Sequence, residues 1–141
     1  MLYLDTSLIV TALSNEDLSV PAQEWLSAQD PEELVISEWT ITEVSSALAI
    51  KLRRGDIDVA ARATLLAEFN RLVAESFTVL TVTGLHFRTA AHFVDSHEFG
   101  LRAGDALHLA IASQHGATLV TRDEKLAVGG LGLGTPTTLF S

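Results

Sequence analysis

The chain has 141 residues, enough for one domain built around a single hydrophobic core. Its 48% hydrophobic and 19% charged content excludes a disordered tail, and the absence of cysteine excludes disulfides, a thiolate nucleophile and a cysteine zinc site. A net charge of −9, from 18 acidic against 9 basic residues, excludes a broad basic surface of the kind that binds nucleic acid nonspecifically.

Strand-like and helix-like segments alternate along residues 1–141, which predicts a single α/β domain with a parallel sheet. Leu2-Tyr3-Leu4 is a short apolar run that ends at Asp5, and Thr6-Ser7 open a helical pattern. This start lacks a basic n-region and Asp5 interrupts it, so it reads as strand and helix, not as a signal peptide. No run approaches the ~18 apolar residues that a membrane span needs. A cytoplasmic location is the expectation. Pro21 suits the first turn of a second helix through Trp25 and Leu26, ended by Asp30-Pro31. Leu34-Val35-Ile36 is a buried strand, followed by a helix with Ile41, Val44, Leu48 and Leu52 on one face and Gly55 as its stop. Leu65, Leu66, Phe69, Leu72 and Val73 mark the next helix, and Phe77 to Val82 a β-branched third strand. Helices are expected over 84–98 and 103–115, split by Gly100, then strands over 117–120 and 137–140. The glycines from Gly129 to Gly134 read as a loop; without a following Gly-Lys-Ser/Thr they are not a phosphate-binding loop.

Ligand sites of α/β proteins form at the ends of parallel strands, and four acids fall at such places. Asp5 ends the first strand and Asp123 lies just beyond the fourth, while Glu43 and Asp105 fall in the first turns of their helices. Each also has an ordinary explanation. Asp5 and Asp123 could cap helices, Thr40-Ile-Thr-Glu43 matches a capping box, and Asp105 complements a helix dipole. Their joint placement is what points to a site.

The segments Leu4-Asp5-Thr6-Ser7, Thr42-Glu43-Val44-Ser45-Ser46-Ala47-Leu48, Leu101-Arg-Ala-Gly-Asp105-Ala-Leu-His-Leu-Ala110 and Val120-Thr-Arg-Asp123 resemble the successive motifs of PIN-domain nucleases. The closest resemblance is to VapC-type toxins of bacterial toxin–antitoxin pairs, and it spans almost the whole chain in order. It implies a three-layer α/β/α fold with a central parallel sheet and Mg²⁺- or Mn²⁺-dependent cleavage of RNA. It also implies a VapB-type antitoxin as partner, and a homodimer.

Phosphodiester hydrolysis needs an activated water and compensation for charge growing on the phosphoryl oxygens, both of which a divalent metal supplies. Hard cations take carboxylate and water oxygens, and magnesium takes only one or two protein carboxylates directly. Asp5 and Asp105 are therefore assigned as metal ligands, with Glu43 and Asp123 holding coordinated waters, orienting the nucleophile or completing a second metal position. Metal also answers the charge problem, since a bare acidic pocket repels phosphate. Arg102, one turn before Asp105, is the candidate phosphate contact, with a solvated pairing to Glu98 as the alternative. Thr6, Ser7 and Thr121 could orient ligands through their hydroxyls. Lys51, Arg53 and Arg54 suit a helix C-terminus. His108, alone on an apolar Ala-Leu-His-Leu-Ala stretch, reads as structural, and the other histidines show no zinc spacing.

Two other readings compete. A haloacid-dehalogenase-like phosphohydrolase also places an aspartate after its first strand, but it expects a second acid two residues on, where Ser7 stands. A catalytically silent PIN-like module that only sequesters RNA or a partner would not need four mutually repelling acids.

Overall fold

Short runs of β-branched and aliphatic residues form five strands in the computed structural model, which describes all residues from Met1 to Ser141. These are β1 (Leu2–Leu4), β2 (Leu34–Ser37), β3 (Thr78–Leu80), β4 (Thr118–Thr121) and β5 (Thr137–Leu139). They make one sheet in the order β3-β2-β1-β4-β5, and every pairing is parallel. Seven helices connect them: α1 (Thr6–Leu13), α2 (Ser19–Ala28), α3 (Glu38–Arg54), α4 (Val59–Ser76), α5 (Gly84–Asp95), α6 (Ala103–Gln114) and α7 (Glu124–Gly132).

Alternation along the central strands feeds two cores. Leu4, Ile36 and Val120 point to one face, where Leu8, Ile9, Leu26, Val44, Leu48 and Phe69 from α1 to α4 cover them. Tyr3, Val35 and Leu119 point to the other, under Ala90 of α5, Leu107, Leu109 and Ile111 of α6, and Leu126 of α7. A sheet buried on both faces gives the three-layer α/β/α arrangement expected from the resemblance. The chain builds outward from β1 through β2 to β3, then crosses back to place β4 on the other flank of β1. Such a reversal leaves a crevice beyond the carboxyl ends of the two flanking strands. Asp5 and Asp123 stand at its two lips.

Three local expectations change. Gly129, Gly130 and Gly132 lie within α7 and not in a loop, despite glycine's poor helix propensity. Packing overrides propensity here: a methyl group on Gly130 would lie 2.3 Å from Thr137 Oγ1, and one on Gly132 2.4 Å from the Phe99 ring. Only a helix face without side chains fits against β5 and the Phe99 segment. The helix expected over 84–98 ends at Asp95, and His97–Phe99 form a separate 3₁₀ turn closed by Gly100 in the left-handed region, at φ 62°. Finally, α3 begins at Glu38, with Ser37 as N-cap and Thr40 as its capping-box partner. Thr40 and Glu43 are therefore not a capping box, and Glu43 lies in the second turn of α3, free to serve elsewhere.

Candidate active site

Asp5 leaves β1 still in sheet register, its amide donating to the Val120 carbonyl at 2.9 Å. Asp5 is 3% exposed and stands at the N-cap of α1, but its side chain makes no capping hydrogen bond. Instead Oδ2 accepts from Ser7 Oγ at 2.6 Å and from Thr121 Oγ1 at 2.8 Å. Ser7 and Thr121 thus hold the Asp5 carboxylate in place, as hydroxyls at a ligand site can do. Oδ1 is left for another partner.

Glu43 reaches the same point from α3. Its Oε1 accepts from Thr6 Oγ1 at 2.7 Å and contacts His108 Nε2. Burial pushes the Glu43 carboxyl up, but the His108 hydrogen bond, the His108 charge and the Thr6 hydroxyl outweigh it, and it ends below the usual carboxylate range.

Asp105 is held in the first turn of α6, where Arg102 is the N-cap residue. Gly104 allows this turn close to α3: a methyl group there would sit 3.1 Å from Glu43 Oε2 and 3.3 Å from Trp39 Cζ2. The half-buried Asp105 carboxylate has no hydrogen-bond or ion-pair partner. Burial, then the charges of Asp5, Asp123 and Glu43, push it up to about 6 against a partial offset from His108. Asp123 both caps and faces the site. Its Oδ1 accepts from the amides of Lys125 at 2.9 Å and Leu126 at 3.2 Å, while the residue lines the same cavity as the other three acids.

That cavity, of about 270 Å³, is lined by Asp5, Glu43, Asp105 and Asp123 together with Thr6 and Ser7. No arginine or lysine lines it. Arg102 is exposed and forms no ion pair, with Glu98 or otherwise, whereas Arg122 is tied to Thr11 Oγ1 at 2.9 Å and to Glu16. His108 is where the sequence reading falls short. It is fully buried, as a structural histidine would be, yet Nε2 touches Glu43 and lies 3.7 Å from Asp5 Oδ1. The available signal was its spacing, since a residue three positions after Asp105 shares its helix face. Asp5, Glu43 and His108 each offer an atom within 4.8 Å of the others.

Oxygen donors converging on a small cavity, one of them a raised carboxyl with no protein donor, fit a hard divalent cation. Residues 2–129 match the PIN domain. The chain belongs to the PIN domain family. Solved structures share its fold. FitAcB from Neisseria gonorrhoeae has a TM-score of 0.77 at 20% identity, covering 97% of this chain and 96% of that one. VapC20 of Mycobacterium tuberculosis, described as a Sarcin-Ricin loop cleaving toxin, has 0.73 at 17% identity, covering 92% and 95%. A toxin–antitoxin complex from Klebsiella pneumoniae has 0.60 at 22% identity, covering 87% of each chain. At these identities the likeness is one of fold. No curated protein matches this PIN domain in sequence. No helix is long and apolar enough to cross a membrane.

Proposed function

We propose that this PIN domain is the ribonuclease toxin of a toxin–antitoxin pair, cutting RNA phosphodiester bonds with a divalent metal ion. One observation carries the reading: carboxylates from four separate segments line one small cavity, and Asp105 among them has no protein donor. Asp5, with Oδ2 held by two hydroxyls, and Asp105 would hold Mg²⁺ or Mn²⁺; Glu43 and Asp123 would hold waters or the nucleophile. Bound there, the metal would lower the pKa of a coordinated water and neutralise charge on the phosphoryl oxygens. The protein's own part is positional. Ser7 and Thr121 fix Asp5, Thr6 and His108 fix Glu43, and the α7 amides fix Asp123, so few groups must reorganise when substrate arrives. Arg102, exposed at the N-terminus of α6, is the proposed phosphate contact.

The same site suggests how a partner inhibits it. An acidic pocket without metal attracts cations, and an apolar cleft of about 450 Å³ adjoins it, lined by Trp39, Phe87, Ala91, Val94, Gly104 and Leu107. A VapB-type antitoxin would lay apolar residues in the cleft and direct a basic side chain towards the carboxylates. A homodimer and a cytoplasmic location, beside its RNA, belong to the same proposal.

The test is cleavage of total RNA by the purified protein with chelator, magnesium or manganese, and with Asp5→Asn and Asp105→Asn. Metal-dependent cleavage lost in both variants is expected. Cleavage that survives in chelator, or in either variant, would overturn the assignment.

A further inference from the structure

Behind Glu43 runs a chain of polar side chains that the proposed hydrolysis does not itself require. His108 Nδ1 lies 2.7 Å from Tyr3 Oη, and Tyr3 Oη lies 2.7 Å from Ser37 Oγ. Tyr3, Ser37 and His108 are all fully buried. The chain ties β1, the end of β2 and α6 to a single carboxylate oxygen on α3. Buried polar groups of this kind are costly unless each is satisfied, and here each one is.

The protons in this chain can be placed. Glu43 Oε1 is an acceptor and already receives the Thr6 hydroxyl hydrogen, so the ring nitrogen against it must carry a hydrogen. The Thr6 oxygen, 3.2 Å from the same Nε2, is a second acceptor for that hydrogen. On the other side, the Tyr3 phenol has one hydrogen to give, and two polar atoms, His108 Nδ1 and Ser37 Oγ, stand within 2.7 Å of it. Donated to Nδ1, that hydrogen fixes the neutral ring in the Nε2–H tautomer, while Tyr3 Oη accepts from Ser37. Donated instead to Ser37, it leaves Tyr3 Oη to accept from a doubly protonated ring. In both arrangements Nε2 bears hydrogen and has no lone pair to offer.

Resting on the carboxylate metal site proposed above, we infer that Tyr3 and His108 are positioning residues. They clamp Oε1 of Glu43 and so fix where its carboxylate stands at the site, and His108 is not a metal ligand. Its place among the atoms within 4.8 Å of Asp5 and Glu43 reflects this clamp.

The experiment uses Mn²⁺ alone, followed by electron paramagnetic resonance, on the parent, Tyr3→Phe, His108→Gln and His108→Leu. Partners that orient metal-site groups are worth about 10- to 100-fold in affinity, so Tyr3→Phe and His108→Leu should weaken Mn²⁺ binding by at least about tenfold. Glutamine can place an N–H where Nε2 stands and should bring affinity back to within about threefold of the parent. Imidazole ligands favour nickel over manganese, so the Ni²⁺-to-Mn²⁺ preference should be the same in all four proteins. A fall in that preference in both His108 variants would make His108 a ligand and overturn the inference; unchanged Mn²⁺ affinity in Tyr3→Phe would also overturn it. If His108→Leu does not fold, Tyr3→Phe, which removes one oxygen, still decides. A metal-free readout separates this inference from the reading it rests on: thermal unfolding in chelator of Tyr3→Phe, Glu43→Gln and the double variant. The clamp requires the double variant to lose less than the sum of the single losses. Coupling in a parent that binds no Mn²⁺ would sink the metal site and keep the clamp; additive losses would sink the clamp.

Discussion

Gly104 lies so close to Glu43 that a single methyl group on it would stand 3.1 Å from Oε2, with Trp39 Cζ2 at 3.3 Å on its other side. The first turn of α6, which carries Asp105, therefore takes its distance from α3 at this glycine. Alanine is the better helix former by ~1 kcal/mol, so Gly104→Ala should leave stability nearly unchanged while pushing Glu43 or Trp39 aside. Small misplacements at a reacting centre are costly, and a loss of about tenfold or more in the cleavage rate is expected. Cleavage kinetics beside thermal unfolding check this. A variant that cuts RNA at the parental rate would show that the Glu43–Asp105 distance does not matter.

Asp105 opposes folding when no metal is present, and the sign can be followed through pH. The folded protein keeps the Asp105 proton up to about 6, whereas an ordinary aspartate releases it near 3.8. Between those values the folded state binds more protons than the unfolded one, so stability from this group falls as pH rises and stays low above it. Asp105→Asn should therefore unfold at a higher temperature than the parent in chelator near neutral pH. With solvent screening, the gain is on the order of 1 kcal/mol, a shift of about 3–5 °C. Near pH 4 the advantage should vanish. Scans at both pH values decide, and a variant less stable than the parent near neutral pH would mean that Asp105 has a partner in the folded protein.

Glu43 should behave oppositely, although it borders the same cavity. Its folded carboxyl sits below the ordinary range, so it contributes stability above that range and loses it as pH falls. Glu43→Gln keeps the shape but gives up the charge that faces His108 and Thr6, and bonds to charged groups are worth about 1.5–3 kcal/mol. A lower unfolding temperature in chelator near neutral pH is expected, against the rise for Asp105→Asn. Equal gains in both variants would mean that repulsion among the four acids outweighs the hydrogen bonds.

Most of this architecture is readable from residue order, because β-branched runs and three-or-four spacing report burial directly. Asp5 and Asp123 could be placed since they follow β1 and β4, and topology brings those strands together. What could not be read depends on contacts between distant segments. The α7 glycines look like a loop until Thr137 and Phe99 are seen to fill the space their side chains would take. Thr40 and Glu43 spell a capping box, but the helix starts three residues earlier and uses Thr40 with Ser37. His108 sits among apolar neighbours on its own helix, so its sequence surroundings predict a silent core position. Its polar partners come from β1, α1 and α3: Tyr3, Thr6 and Glu43, 105, 102 and 65 residues away.

The cleft proposed as the antitoxin's seat makes binding and catalysis separable by mutation. Phe87 and Val94 line it while remaining 58% and 37% exposed, so replacing either disturbs little of the core. Gly104 and Trp39 belong to the cleft wall and also adjoin Glu43, which brings an apolar segment seated there within reach of the carboxylates. Phe87→Asp adds charge to the apolar surface and to a chain already at −9, without touching the four acids. It should weaken capture of the cognate antitoxin by about tenfold or more, the effect of losing one aromatic anchor, and leave RNA cleavage within about twofold of the parent. In the converse experiment, alanine at the antitoxin's basic residues nearest the site should restore cleavage while the complex still forms, because the cleft would hold the apolar part. Titration of labelled antitoxin and cleavage by the complex measure the two effects separately. Full inhibition of Phe87→Asp at parental antitoxin concentrations would place the inhibitory contact on another face of the protein.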